Sequence, residues 1–207
     1  MNIDLRYSYI IEKSLSEYNQ GHYYVILAHL STYFNDSVII DLGTLRGESA
    51  AALSYNKSNK IYTYDIAHRG EAVDRFKNEE YQNIEYIIGD CIENNWMGMP
   101  IWDAHHYVGE PPKTDKEIFL SSELIFMDID PHNGIQEDKV LNFLISNNWK
   151  GVMVCDDIGF GVVGQQHPHM RDWWESITTP KYNISENHYA SGTGTGIICF
   201  DNQEVIF

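Results

Sequence analysis

SVIIDLGTLRGES, residues 37–49, is the stretch from which the fold can be read. Val38, Ile39 and Ile40 run without a polar break into Asp41, and Gly43 and Gly47 bracket the turn that follows. Ser49 then opens a run of small helix formers, Ala50 to Ala52. An uninterrupted apolar run, rather than an alternating one, marks a strand covered on both faces. Gly43 permits a tight turn close to a ligand, and Gly47 lets the next helix start near the strand. Ser49 falls in the first helical turn, where backbone N–H groups favour an anionic group.

The same design recurs downstream. IYTYDI (61–66), IEYIIGD (84–90), ELIFMDID (123–130) and GVMVCDD (151–157) are short apolar runs that end in acidic residues. Polar, helix-compatible stretches at 47–56, 70–80 and 134–147 separate most of them. Strands alternating with helices predict right-handed crossovers and a doubly wound α/β domain with a mostly parallel sheet. The tail predicts a helix near 169–178 and strands near 182–185 and 196–200. Ahead of the first strand, Ile10, Ile11 and Leu15 form one helical stripe, and Tyr23, Ile26, Leu27 and Leu30 another. They predict helices over 5–19 and 22–34, divided at Gly21. The chain therefore reads as an N-terminal helical extension, 1–35, on a domain over 36–207. Residues 91–120, with Pro100, Pro111 and Pro112 and no clear period, form an insertion in that domain. A loop this long is usually functional or disordered. Trp96, Trp102, His105, His106 and Tyr107 argue against plain disorder and for a lid or substrate-facing segment; a packed excursion or a dimer contact is the alternative.

Composition narrows the partners. The 207 residues carry 14 Lys and Arg against 30 Asp and Glu, a formal net charge of -16. Such a surface repels nucleic-acid phosphates and anionic membranes. It suits a cationic ligand or a divalent ion. No apolar run approaches a membrane span, and the first 20 residues mix charges with apolar residues in a way no signal peptide does. Cys91, Cys155 and Cys199 form no metal-spaced pair, which fits reduced thiols in a cytoplasmic protein.

In open parallel sheets, ligands bind beyond the carboxyl ends of the strands. Asp41, Asp65, Asp90, Asp128, Asp130, Asp156 and Asp157 all fall there. Asp65 is placed to accept ribose hydroxyl bonds, as in dinucleotide folds. The turn is not GxGxxG, so a nicotinamide cofactor fits less well. If their strands are neighbours, Asp128, Asp156 and Asp157 meet at one rim and repel unless protonated or bridged by a cation. Three carboxylates suit Mg²⁺, Ca²⁺ or Mn²⁺. The bland reading has Asp157 capping a turn and Asp130-Pro131 starting a loop. His132 follows Asp128 by four residues, just past the strand end, and an imidazole can carry a proton, which makes it a candidate base. His188 and Ser191 flank a glycine-rich turn, YASGTGTG (189–196), that lacks the Lys of a phosphate loop. His167 and His169 around Pro168 read as a helix start, and no Gly-x-Ser-x-Gly elbow is present.

With these motifs the sequence resembles the class I S-adenosylmethionine-dependent methyltransferases, over roughly residues 36–200. It is most similar to the metal-dependent O-methyltransferase branch, with its catechol, caffeoyl-CoA and sugar-modifying members. The resemblance implies a Rossmann-like domain, with Gly43 and Ser49 on the methionine part of the cofactor, Asp65 on the ribose, and Asp90 with Cys91 beside the adenine. Asp41, Thr44, Gly47 and Asp128 complete the implied cofactor set. Asp128, Asp156 and Asp157 would bind the ion, with Mg²⁺ expected first, and Asp128 and His132 would be the catalytic pair. The caffeoyl-CoA type carries a catalytic Lys soon after the strand-four Asp. This chain has Pro131-His132 and no Lys before Lys139, which favours a sugar or another aliphatic hydroxyl as acceptor. The expected activity is methyl transfer from S-adenosylmethionine to a hydroxyl of a small molecule. Two rivals remain open at this point: a NAD-type oxidoreductase using Asp65, and a divalent-metal hydrolase using the same carboxylates.

Overall fold

The computed structural model describes residues 1–12, 15, 23–89, 115–159 and 169–207. The chain begins with strand β1 (Asn2–Asp4), a 3₁₀ turn at Leu5–Tyr7 and helix α1 (Tyr9–Glu12), followed by α2 (Tyr23–Ser31). The alternating body then runs β2 (Val38–Leu42), α3 (Glu48–Leu53), β3 (Lys60–Asp65), α4 (Gly70–Phe76) and β4 (Ile84–Ile88). It continues with α5 (Asp115–Ser121), β5 (Ser122–Met127), α6 (Ile135–Ser146) and β6 (Val152–Cys155). The tail contributes α7 (His169–Ser176), β7 (Lys181–Asn183), β8 (Gly196–Cys199) and β9 (Glu204–Ile206).

Seven strands form one sheet in the order β4-β3-β2-β5-β6-β8-β7. The first five are parallel to one another, and β8 and β7 add antiparallel at the edge. The doubly wound, mostly parallel sheet is thus as expected. Period-two alternation sorts each strand's apolar residues onto two cores. Ile39, Ile61, Leu124, Phe126, Val152 and Val154 pack on one face with α2 and α3. Ile40, Leu42, Ile125, Met127, Met153 and Cys155 pack on the other with α5, α6 and α7. Coverage of both faces is why the strands read as unbroken apolar runs.

The chain ends differ from the expectation. Asn2–Asp4 is a strand paired in parallel with Glu204–Ile206, whereas the sequence predicts a helical extension over 1–35 and no strand at either place. Three-residue strands carry too little pattern to read, and this pair exists because the two termini meet in space. Of the helix expected over 5–19, only the 3₁₀ turn and α1 are described. The expected insertion 91–120 also ends earlier in space than in sequence. Its last residues begin α5, whose Phe119 is fully buried against Tyr64, with ring centroids 5.2 Å apart. The seven residues of α5, about two turns, carry their apolar residues as one run, Ile118 to Leu120, too little for a period. Trp96, Trp102, His105, His106, Tyr107 and His167 lie outside the described residues.

Candidate active site

Strand register places the site. Leu42 pairs with Tyr64 on one side and with Met127 on the other, and Met127 pairs with Cys155. The residues that follow these positions, Gly43, Asp65, Asp128 and Asp156, therefore emerge at one level on the carboxyl rim. A cavity of about 500 Å³ opens there, lined among others by Gly43, Leu45, Asp65, Arg69, Asp128 and His132. That volume lies within the range of small-molecule sites.

Gly43 has φ +99°, and a Cβ on it would lie 1.8 Å from the Asp128 carbonyl oxygen. The turn can therefore press against the end of β5 only without a side chain. Gly47, at φ +77°, would drive a Cβ into the Phe76 ring, so its role is packing against α4. Beneath the turn, Asp41 is fully buried. The Thr63 hydroxyl donates to Asp41 Oδ2 at 2.5 Å and lies 2.6 Å from the Thr44 hydroxyl. Asp41 Oδ1 has no hydrogen-bond partner of good geometry among the described residues. Burial pushes the Asp41 carboxyl up to about 7, against the pull of the Thr63 and Ser49 hydroxyls. Asp41, Thr44, Gly47 and Ser49, all expected to touch cofactor, do not line the cavity. Thr63 ties Asp41 and Thr44 together beneath the turn, and Gly47 packs on Phe76.

Asp65 does line the cavity, and its carboxylate is already organised. The Leu45 N–H donates to Oδ2 at 3.0 Å, the Ala67 N–H to Oδ1 at 2.9 Å, and Arg69 Nε to Oδ2 at 3.0 Å. Arg69 was not singled out from the sequence; its position four residues after Asp65 was the available signal. The Arg69 N–H in turn donates to the Tyr86 hydroxyl at 3.0 Å, which pins the loop after β3 to β4. Asp90 and Cys91, expected beside the adenine, lie outside the described residues.

The acidic rim is partly as expected. Asp128, His132 and Asp157 each offer one ligand atom, and these atoms lie within 4.8 Å of one another. His132 Nδ1 is 3.2 Å from Asp157 Oδ2, and Nε2 is 3.1 Å from Asp130 Oδ1. Asp156, expected in the ion site, is not a member of this group; its Oδ1 accepts from the Ser191 hydroxyl at 2.5 Å. Asp157 has φ +59°, which splays the two adjacent carboxylates apart. Burial pushes the Asp128 carboxyl up to about 7, helped by the charges of Asp157, Asp41 and Asp130. Burial likewise pushes Asp156 up to about 7, against the pull of the Ser191 hydroxyl. Behind this group sits Glu137, in the first turn of α6. It is 1% exposed, and among the described residues neither carboxylate oxygen has a hydrogen-bond partner of good geometry. Nothing in the sequence distinguishes it from an ordinary solvated helix residue.

No family profile and no curated protein sequence matches this chain. Solved structures do. A protein from Staphylococcus aureus provisionally named a caffeoyl-CoA O-methyltransferase is similar at a TM-score of 0.58 and 13% identity, over 91% of this chain and 90% of that one. An O-methyltransferase from Bacillus cereus, in complex with S-adenosylhomocysteine, is similar at 0.54 and 14%, over 84% of this chain and 79% of that one. An O-methyltransferase of tomaymycin synthesis from Streptomyces achromogenes, in complex with S-adenosylmethionine, is similar at 0.53 and 15%, over 86% of this chain and 78% of that one. At these identities the likeness is one of architecture: this chain has the Rossmann-like fold of the class I S-adenosylmethionine-dependent O-methyltransferases.

Proposed function

We propose that the protein transfers a methyl group from S-adenosylmethionine to a hydroxyl of a small molecule or sugar, assisted by a divalent cation. The observation that carries this reading is the cavity at the carboxyl rim, with Gly43, Asp65 and Asp128 on three adjacent strands. The cofactors named for the similar structures support it. The residues present fit the donor: carboxylates rim the space, and a sulfonium is cationic. S-adenosylmethionine supplies a methyl group already activated at sulfur. Asp65, preorganised by two backbone N–H groups and Arg69, is positioned to accept from the ribose hydroxyls. Gly43 lets the turn close against the end of β5 at the cavity's edge, where a Cβ would lie 1.8 Å from the Asp128 carbonyl oxygen.

Two carboxylates and an imidazole within mutual reach also fit a divalent cation. Bound there, it would lower the pKa of an acceptor hydroxyl. The protein's own share is alignment of the acceptor oxygen with the methyl carbon, where effective concentration does most of the work. The Pro131-His132 sequence, in place of the expected Lys, supports an aliphatic hydroxyl over a catechol. Calorimetry with S-adenosylhomocysteine and with NAD⁺ tests the reading. Binding of the first and not the second is expected. Equal binding of NAD⁺, or no binding of S-adenosylhomocysteine, overturns it.

A further inference from the structure

We propose that His132 is a ligand of the cation, that Ser191 keeps Asp156 out of the donor set, and that the site accordingly takes a borderline ion such as Mn²⁺, Fe²⁺ or Co²⁺ with a metal–nitrogen bond. The inference rests on the cation-assisted reading above and departs from the base role expected for His132.

Three observations converge. First, the His132 ring has the surroundings of a metal-bound imidazole. Nδ1 faces Asp157, and Nε2 faces Asp130 Oδ1 at 3.1 Å. Ligating histidines generally donate their other N–H to a carboxylate, which fixes tautomer and orientation. Asp130 is placed for that role; it is not a member of the ligand group itself.

Second, Asp156 is outside the converging group, and one of its oxygens is already engaged. Ser191 donates to it and is itself held, its N–H donating to Thr195 Oγ1 at 2.9 Å. The loop carrying Ser191 is strapped to the turn after β6, with the Gly159 N–H donating to the Thr193 carbonyl at 2.9 Å and the Ile158 N–H to the Gly194 carbonyl at 3.2 Å. The atoms that converge are those of two carboxylates and a nitrogen, in place of the all-carboxylate set that would favour Mg²⁺ or Ca²⁺. Imidazole shifts a site toward the later divalent ions, whereas Mg²⁺ prefers oxygen.

Third, Glu137 is 1% exposed, its carboxylate oxygens have no hydrogen-bond partner of good geometry among the described residues, and it lies within electrostatic reach of both His132 and Asp157. A buried carboxylate either takes up a proton or is stabilised by a nearby positive group. A divalent ion at the Asp128–His132–Asp157 group is one within range.

The test uses the full chain, freed of metal and loaded with MnCl₂, CoCl₂ or MgCl₂. Pulsed electron paramagnetic resonance of the Mn²⁺ form should show coupling to a directly bound ¹⁴N. His132→Gln should lose that coupling and weaken Mn²⁺ and Co²⁺ binding about 10- to 100-fold, while Mg²⁺ affinity shifts by less than about threefold. Asp130→Asn should weaken Mn²⁺ about tenfold or more. Asp156→Asn should keep the ¹⁴N signal with Mn²⁺ affinity within about threefold. Ser191→Ala, by releasing Asp156, should raise Mg²⁺ affinity, and Ser191→Thr should restore the parent value. Mn²⁺ bound without ¹⁴N coupling, or an Asp156→Asn loss as large as that of Asp128→Asn, overturns the inference. If S-adenosylhomocysteine binds but none of the three ions does, this donor set and the cation's part in the function fall while methyl transfer stands. If the ions bind with ¹⁴N coupling but S-adenosylhomocysteine does not, the donor set stands and the methyl-transfer reading falls.

Discussion

Replacing Glu137 with methionine should stabilise the protein. The side chain is 1% exposed, and neither oxygen has a hydrogen-bond partner of good geometry among the described residues. A buried polar group left unpaired costs about 1–3 kcal/mol, and methionine fills a similar length without a polar atom. A gain of about 1–3 kcal/mol is therefore expected at pH 8 in EDTA. At roughly 2–4 °C per kcal/mol for a domain of this size, that is a rise of about 2–12 °C in Tm. The gain should also depend on pH, with a definite sign. Burial raises the Glu137 carboxyl above its ordinary value of 4.5. The folded state then holds this proton more tightly than the unfolded chain does, so the group's contribution is best below 4.5 and is lost as pH rises through the folded value. The advantage of Glu137→Met should thus shrink at pH 5.5, the lowest practical value for a chain with an isoelectric point near 4.8. Differential scanning calorimetry at the two pH values reads both effects. A variant that melts below the parent at pH 8, or one whose gain is equal at both pH values, would falsify the account of Glu137 as an uncompensated buried acid.

Three further outcomes follow from the site. Asp65→Ala should weaken S-adenosylhomocysteine by about 1–3 kcal/mol, roughly 5- to 150-fold, in a calorimetric titration; an unchanged Kd would detach Asp65 from the ribose. Gly43→Ala places a Cβ 1.8 Å from the Asp128 carbonyl oxygen at a φ of +99°. It should lower stability by about 1–3 kcal/mol or more in urea and abolish cofactor binding, and a parent-like melt would show that the turn can relax. Asp41, Asp128 and Asp156 are each pushed up to about 7 by burial. Their folded values lie above the unfolded value of 3.8, so without ligands stability should decline as pH rises from 5.5 through 7 to 8.5. Asp41→Asn should reduce that slope, and a slope of the opposite sign would contradict the burial argument.

Much of the rim was legible because it depends on local order. A run such as Ser37 to Asp41 can only be a strand buried on both sides, and acids at the ends of such runs must reach the carboxyl edge. Asp65 and Asp128 follow from that alone. The difference between touching the cavity and supporting it was not legible. Asp41, Thr44 and Ser49 sit in the motif as plausibly as Gly43 does. Only the pairing of β2 with β3 brings Thr63 against Asp41 and turns that group into an internal network.

The sequence by itself determined the doubly wound sheet, its strand boundaries to within a few residues, and the rim on which the chemistry lies. These follow from hydrophobic periodicity and turn chemistry, which act between near neighbours along the chain. Tertiary structure alone decided which carboxylates meet. Asp156 and Asp157 are adjacent and identical in sequence, yet the left-handed backbone at Asp157 and the hydroxyl of Ser191, 35 residues after Asp156, send them to different partners. The pairing of β1 with β9 and the burial of Glu137 behind His132 were likewise decided in space. Each depends on segments distant along the chain packing together, and no local pattern records that contact.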